Sequence, residues 1–346
     1  MPDPTNTTRR PHLLELDKPA LREQLDAMGE KPFRADQLMD WVWKKNVTAP
    51  AAMSNVPNAV GEKLNVLTSR IVDQSTARDG TTKLLLELHD GQRVETVLIP
   101  SGKRATACLS TQVGCAMGCA FCATALDGLA RNLTAGEILE QILHLHAHTG
   151  REVTNAVFMG MGEPLANYNA TLSAVRALID PDRLGISARS VTVSTIGLPE
   201  AITRLAAEQL PITLAISLHA PTDALRRQII PASRHTPIER IVAAAKGFYH
   251  ARHREVTVEY LLIAGFNDTA ECADALADIA GRLRCNVNLI RYNPVSSLQW
   301  RRPGKDQADA FVTACRKRGV NVTVRASRGL DTDAACGQLR QRHQQG

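Results

Sequence analysis

Long apolar runs and aromatic residues are what this 346-residue sequence has least of. No apolar stretch approaches the ~20 residues that cross a bilayer as a helix, which excludes a helical membrane protein. Met1 to Arg10 is polar, with Pro and Thr where a secretory leader is apolar, so no signal peptide is expected and a cytoplasmic protein is. Aromatics make up only 4% of the chain, so Leu, Val, Ile and Ala must fill the core that 44% apolar content allows. Forty-one basic residues outweigh 35 acidic ones, a net of +6 with a pI near 9.0. That balance suits an anionic partner, nucleic acid first, or simply a mildly basic enzyme.

Residues 1–70 read as a small helical unit. Asp17 caps a helix opened by Pro19 that carries Leu21 and Leu25 towards Gly29. A second helix carries Leu38, Trp41, Val42 and Trp43, and a third is expected over Val60 to Leu67. The Trp41–Lys45 stretch reads as core aromatics with a solvated basic end; a face for nucleic acid is the alternative. From Thr82 the period changes. Lys83–His89 and Arg93–Ile99 are β-rich runs joined by Asp90-Gly91, a hairpin signal, so residues 71–100 are expected to form a β-hairpin linker. Residues 101–328 then alternate strand and helix. Strands are expected at Ala105–Ser110, Val153–Met159, Val191–Thr195, Ile212–Leu218, Val256–Ile263, Val287–Tyr292 and Val320–Arg325. The helix after the first of these opens on a Thr134/Glu137 capping box. Such alternation implies parallel βα units in a full or partial barrel, with chemistry at the C-terminal ends of the strands. Residues 329–346 read as a loop and a polar end.

The eight cysteines are Cys108, Cys115, Cys119, Cys122, Cys272, Cys285, Cys315 and Cys336. A chain this long without a secretory signal needs no disulfide staples. Three of them fall together in Gly114-Cys115-Ala116-Met117-Gly118-Cys119-Ala120-Phe121-Cys122, directly after a strand. That spacing lets one tight loop offer three thiolates to one centre. Structural zinc wants four closed ligands, and no nearby Cys or His supplies the fourth at zinc-finger spacing. A [4Fe–4S] cluster held by three thiolates keeps one iron open, able to chelate the amino and carboxylate groups of S-adenosylmethionine (SAM). Phe121 could cover such a cluster. Companion groups end successive strands: Gly162 and Glu163 within Gly160–Pro164, then Ser194, then Ser217, Leu218 and His219, then Asn293. Glu163 suits the SAM amino group; each of the others alone could merely cap a loop.

The cysteine motif, Arg131–Thr134, Gly160–Pro164, Ser217–Ala220 and Ala334-Ala335-Cys336-Gly337-Gln338-Leu339 together resemble the RlmN/Cfr family of dual-specificity radical-SAM RNA methyltransferases. The likeness covers about Leu13 to Leu339. It implies an α/β fold, a partial (β/α)6 TIM-like barrel with a small N-terminal helical domain, a β-hairpin extension and a C-terminal loop bearing the methyl-accepting cysteine. It implies one [4Fe–4S] cluster on Cys115, Cys119 and Cys122, and two SAM molecules consumed per turnover. By resemblance, Cys336 takes a methyl group from a first SAM as a thiolate nucleophile. A radical made from a second SAM then activates that methyl for addition to adenine, bridging enzyme and RNA. Cys108 resolves the bridge and leaves a transient Cys108–Cys336 disulfide, and Glu95 accepts the ring proton. By themselves, Cys108 reads as a buried core thiol and Glu95 as a surface charge; Cys272, Cys285 and Cys315 match no role.

The implied partners are 23S rRNA, tRNA in some members, and a reducing electron donor such as flavodoxin, with no membrane and a monomeric enzyme. RlmN-type members methylate C2 of one adenosine in the peptidyl-transferase region, and in some bacteria an adenosine in the tRNA anticodon loop. Cfr-type members methylate C8 of that rRNA adenosine. The RlmN type is preferred on overall resemblance. Two rivals come from other classes: a radical-SAM enzyme acting on a protein or small molecule, and a non-catalytic iron–sulfur RNA-binding protein. The terminal cysteine motif argues against the first. The chain departs from the family pattern at Ala125 for Gly, Thr332 for Ile and Arg291 for Pro, none of them a catalytic position.

Overall fold

A computed structural model describes residues 10–340; the polar N-terminal stretch before them and the polar end after them lie outside the described residues. Chain entry follows local chemistry. The Asp17 carboxylate accepts from the Ala20 amide at 2.9 Å and Pro19 fits the first turn, so α1 runs Lys18–Ala27. The next helix, α2 (Arg34–Met39), continues through a wider turn over Asp40–Lys44. Val42 and Trp43 are core residues. Trp41 is half-buried beneath the Lys45 ammonium, 4.0 Å from its ring.

The expected third helix is shorter than its pattern suggests: α3 spans only Asn58–Gly61. Beyond it the chain is pinned alongside the entry segment, where Leu13 donates to the Asn65 carbonyl at 2.8 Å and Asn65 to the Pro11 carbonyl at 2.9 Å. Those two bonds take the backbone groups a helix would need.

A strand absent from the sequence reading follows, β1 (Arg70–Thr76), antiparallel to β2 (Thr82–Glu87). The Asp90-Gly91 hairpin joins β2 to β3 (Arg93–Ser101), and Arg93 faces Glu87 in register. β3 turns back into β4 (Arg104–Cys108). A small ribbon then frames the cysteine loop: β5 (Gln112–Gly114) pairs with β6 (Leu129–Asn132). α4 (Ala135–Thr149) opens on the expected capping box and ends at Gly150.

The remaining elements alternate as read. They are β7 (Asn155–Phe158), α5 (Tyr168–Ile179), β8 (Val191–Thr195), α6 (Pro199–Ala207), β9 (Thr213–Ser217), α7 (Asp223–Ile229) and α8 (Ile238–Arg252). Then come β10 (Val256–Leu262), α9 (Ala270–Gly281), β11 (Cys285–Arg291), α10 (Lys305–Lys317) and β12 (Val322–Arg325).

Ten strands form one sheet in the order β1-β2-β3-β4-β7-β8-β9-β10-β11-β12. Pairing is antiparallel up to β4 and parallel from β4 to β12. The hairpin strands are therefore the antiparallel edge of the barrel sheet. Among the described residues neither β1 nor β12 has an outer neighbour, so the sheet does not close, which makes it a partial barrel. No helix is long and apolar enough to cross a membrane among the described residues.

Candidate active site

The C-terminal ends of the parallel strands open on a cavity of about 920 Å³, mouth included. The cysteine loop forms one wall. Its entry is set by Gly114, with φ +76; a Cβ there would sit 1.9 Å from the Gly128 carbonyl oxygen, so only glycine lets β5 meet β6. The Cys115 amide donates to that same carbonyl at 2.7 Å. Ala120 is held from both sides: its amide donates to the Ile229 carbonyl at 2.9 Å and its carbonyl accepts from the Trp300 indole at 2.8 Å. Cys115, Cys119 and Cys122 all line the cavity, and Phe121 packs edge-on against the His219 ring at 4.9 Å.

As free thiols the three are raised in pKa by burial, Cys115 to about 11, and Cys119 further by its two neighbours. An iron centre that takes thiolates overcomes that cost. Arg226 is 1% exposed, three residues before the Ile229 whose carbonyl the cysteine loop meets, and its Nη1 is buried with no hydrogen-bond partner. A buried cation short of a partner fits an anionic cluster beside it.

The groups expected to hold SAM divide. Gly162, Glu163, Ser194, Ser217 and His219 line the cavity. Gly162, at φ +102, lies against Gln112, which a Cβ would meet at 2.6 Å. Glu163 accepts from the Leu165 and Ile196 amides at 3.0 and 2.9 Å, yet burial outweighs these donors and its pKa rises to about 7. The Ser194 and Ser217 hydroxyls are 3.2 Å apart. His219 accepts from the Leu261 amide at Nδ1, 3.1 Å, so its proton is on Nε2; burial, then Arg226, pushes its pKa down to about 3 and keeps it neutral. Leu218 and Asn293 are not on the cavity wall. The Leu218 side chain, 2% exposed, belongs to the outer core. Asn293 donates instead to the Cys336 carbonyl at 3.1 Å.

Residues 329–340 cross the mouth as a strap. Ala123 donates to the Gly337 carbonyl at 2.8 Å and Thr124 to the Leu339 carbonyl at 2.6 Å, tying the strap to the cysteine loop. Gln338 donates to the Pro294 carbonyl at 2.8 Å, and Lys83 to the Asp333 carbonyl at 3.2 Å. The strap brings Cys336 onto the cavity wall as an exposed residue. All eight cysteines are free thiols, so no Cys108–Cys336 disulfide is formed in this state. Cys108 ends β4; burial, then Cys336, pushes its pKa to about 12, and Arg325 opposes the rise. Arg325 acts in the same sense on Cys336, against burial.

Glu95 is 3% exposed rather than a surface charge. Val97 pairs with Cys108, so Glu95, two residues earlier, shares that face of the sheet. It does not line the cavity: its carboxylate accepts from Lys83 at 2.8 Å and from the Arg340 amide at 2.8 Å. Three functional-looking groups escaped the sequence reading altogether. Arg226, Glu259 and Arg325 are ordinary charges in the sequence; the last two line the cavity 3.6 Å apart.

Comparison with known proteins places this geometry. Residues 109–278 match the model of the Radical SAM superfamily, and residues 11–69 that of the ribosomal RNA large subunit methyltransferase N-terminal domain. A relative from Synechococcus elongatus, named "Probable dual-specificity RNA methyltransferase RlmN", is 44% identical, covering 98% of this chain and 96% of its own. Identically named relatives from Symbiobacterium thermophilum and Geobacillus kaustophilus are 45% and 42% identical, over 94% and 95% of this chain and 91% and 92% of theirs. The solved radical SAM methyltransferase from Sphaerobacter thermophilus superposes with a TM-score of 0.93 at 41% identity, covering 96% of this chain and all of the other. Likeness at that level over nearly the whole chain, on a barrel mouth built around the three-cysteine loop, makes this protein a member of the RlmN family of radical-SAM RNA methyltransferases.

Proposed function

We propose that this protein methylates C2 of an adenosine in the peptidyl-transferase region of 23S rRNA, and the adenosine of the tRNA anticodon loop, in the cytoplasm and as a monomer. The observation that carries this reading is one cavity lined by the three loop cysteines, Glu163 and Cys336. The [4Fe–4S] cluster that Cys115, Cys119 and Cys122 would hold, fed by a flavodoxin-like donor, supplies the one-electron chemistry that an unreactive adenine carbon demands. Glu163 and the Ser194–Ser217 pair present acceptors to the amino and hydroxyl groups of SAM, and neutral His219 presents a donor. Residues 1–70 hold the RNA, residues 71–100 extend the barrel edge towards it, residues 101–328 carry the SAM site and residues 329–346 the methyl-bearing strap.

Cys336 works first as a nucleophile. Its thiolate forms the S–CH3 bond, and S-adenosylhomocysteine leaves with the electron pair of the broken bond. Arg325, the cation opposing burial at this thiol, favours the thiolate that the step needs. Cys108 acts last. Its thiolate attacks the Cys336 sulfur and a disulfide forms; the bond from that sulfur to the RNA-borne carbon breaks, its electron pair stays on the carbon, and the carbon takes up a proton to become the methyl group. Glu95 holds the proton released from the ring. Lys83 and the Arg340 amide occupy its carboxylate, so the strap end must lift for it to do so.

The test is anaerobic reconstitution with iron and sulfide, then dithionite, SAM and transcripts of 23S rRNA or tRNA. 2-Methyladenosine by mass spectrometry is the expected product. 8-Methyladenosine would install the Cfr-type reading. Deoxyadenosine without RNA methylation would point to another substrate, and no SAM cleavage would leave only an iron–sulfur RNA-binding protein.

A further inference from the structure

We infer that Arg226 is a tuning residue for the cluster: its guanidinium donates towards the Cys119 corner and holds the reduction potential up. This rests on the three-cysteine loop binding a [4Fe–4S] cluster. Arg226 sits on α7, among the largest fully buried side chains of the protein. Two of its three nitrogens are anchored. Nε donates to the Leu218 carbonyl at 3.2 Å, and Nη2 donates to the Ile196 carbonyl. Both acceptors belong to segments just past strand ends, β9 and β8, so the fork is fixed in orientation by the barrel itself. The third nitrogen, Nη1, is buried with no partner.

A guanidinium with an idle buried donor is costly unless something anionic receives it. Among the described residues no carboxylate lies within ion-pair distance of it. The nearest acid on its own helix, Asp223, uses Oδ1 to accept from the Ile238 amide at 2.8 Å. The cysteine loop also leans on this helix. Ala120, next to Cys119, donates to the Ile229 carbonyl at 2.9 Å, and Gly118 lies against Pro231 just after α7. Arg226 and Cys119 are therefore held in register by the same short stretch.

Hydrogen bonds to cluster sulfurs and nearby net charge set the potential of an iron–sulfur centre. Reduction adds one negative charge. A fixed cation with an idle donor beside the cysteine loop stabilises the reduced form more than the oxidised one, so the potential rises. In this protein that makes the electron from the external donor easier to accept before SAM is cleaved.

The experiment compares wild type with Arg226→Lys, Arg226→Gln and Arg226→Met, all full-length and anaerobically reconstituted, with iron and sulfide content measured. Dithionite redox titration followed by electron paramagnetic resonance gives the midpoint potential. It is expected to fall to more negative values in Arg226→Gln and Arg226→Met, and less in Arg226→Lys, which keeps the charge. Equal potentials at equal cluster content, or a larger fall in Arg226→Lys than in Arg226→Gln, overturn the assignment. A readout free of variants is pulsed electron paramagnetic resonance of reduced wild type labelled with [15N]arginine. A nitrogen hyperfine coupling is expected, and its absence overturns the assignment even where a variant fails to fold. A wild type that loads no cluster refutes the proposed function instead, so the two failures are distinct.

Discussion

Glu140→Gln is expected to loosen the N-terminal unit from the barrel without unfolding the barrel. Glu140 is fully buried on α4, and both of its oxygens are spent on the other unit. Oε1 accepts from His12 Nε2 at 2.7 Å, from the Thr68 amide at 2.6 Å and from the Thr68 hydroxyl at 2.7 Å. Oε2 accepts from the Ser69 amide at 2.9 Å and from the Ser69 hydroxyl, which also meets His144 Nε2 at 3.0 Å. Glutamine keeps the volume but turns one oxygen into an NH2, which faces an amide donor. Two charge-assisted bonds are lost at about 1.5–3 kcal/mol each, in line with the ~3–5 kcal/mol for breaking a buried ionic contact.

Because this cost falls on docking, it is read best by amide hydrogen exchange. Protection of residues 13–69 should fall roughly 10²- to 10³-fold, at about 1.4 kcal/mol per tenfold, while β8 to β11 keep theirs. RNA affinity should fall with it, and SAM cleavage without RNA should not. A change below tenfold, or an equal loss throughout the barrel, would refute the reasoning. The latch also titrates. Burial opposes ionisation of Glu140, but donation from His12, Ser69 and Thr68 wins and holds its pKa below the usual 4.5. A carboxylate lowered in the folded state adds stability that is fully present above its unfolded pKa. Docking protection should thus hold at neutral pH and fade as pH drops below about 4.5.

Other expectations follow from the mouth. Gly114→Ala forces a left-handed backbone on alanine, about 1–2 kcal/mol, and pushes β6 away, about 1–3 kcal/mol more. Its reconstituted iron content should fall well below wild type with far-ultraviolet circular dichroism unchanged, and full loading would contradict the role given to that turn. Asn293→Ala removes the bond to the Cys336 carbonyl, so iodoacetamide should label Cys336 several-fold faster at unchanged cluster content; an unchanged rate would show that the strap is held elsewhere. Cys108→Ala should accumulate a protein–RNA crosslink on denaturing gels, and Cys336→Ala should form none. A crosslink in the second variant would remove Cys336 from its assigned role.

Local signals made much of this molecule legible in advance. Three thiols at spacings of three and two, the Thr134 capping box, the Asp90-Gly91 turn and the alternation from β7 to β12 each depend on residues close together in the chain, so the sequence alone determined them. β1 was invisible because both of its faces are largely solvated, which removes the period-2 signal of a strand. The third helix was overextended because Pro11 and Leu13, about fifty residues earlier, claim the backbone of Asn65. Tertiary structure alone decided what the charges do. Glu95, Arg226, Glu259 and Arg325 are indistinguishable in the sequence from solvated surface residues. Folding removes water from Glu95, Arg226 and Glu259, leaves Arg325 half-buried, and sets their partners: Lys83 and a strap amide for Glu95, two strand-end carbonyls for Arg226, Asn288 and Arg325 for Glu259. The cysteine loop by itself specified a metal centre. Only the strap, crossing the mouth more than two hundred residues later, put Cys336 on the wall of the same cavity, because convergence of distant strand ends is a property of the assembled sheet and not of any segment within it.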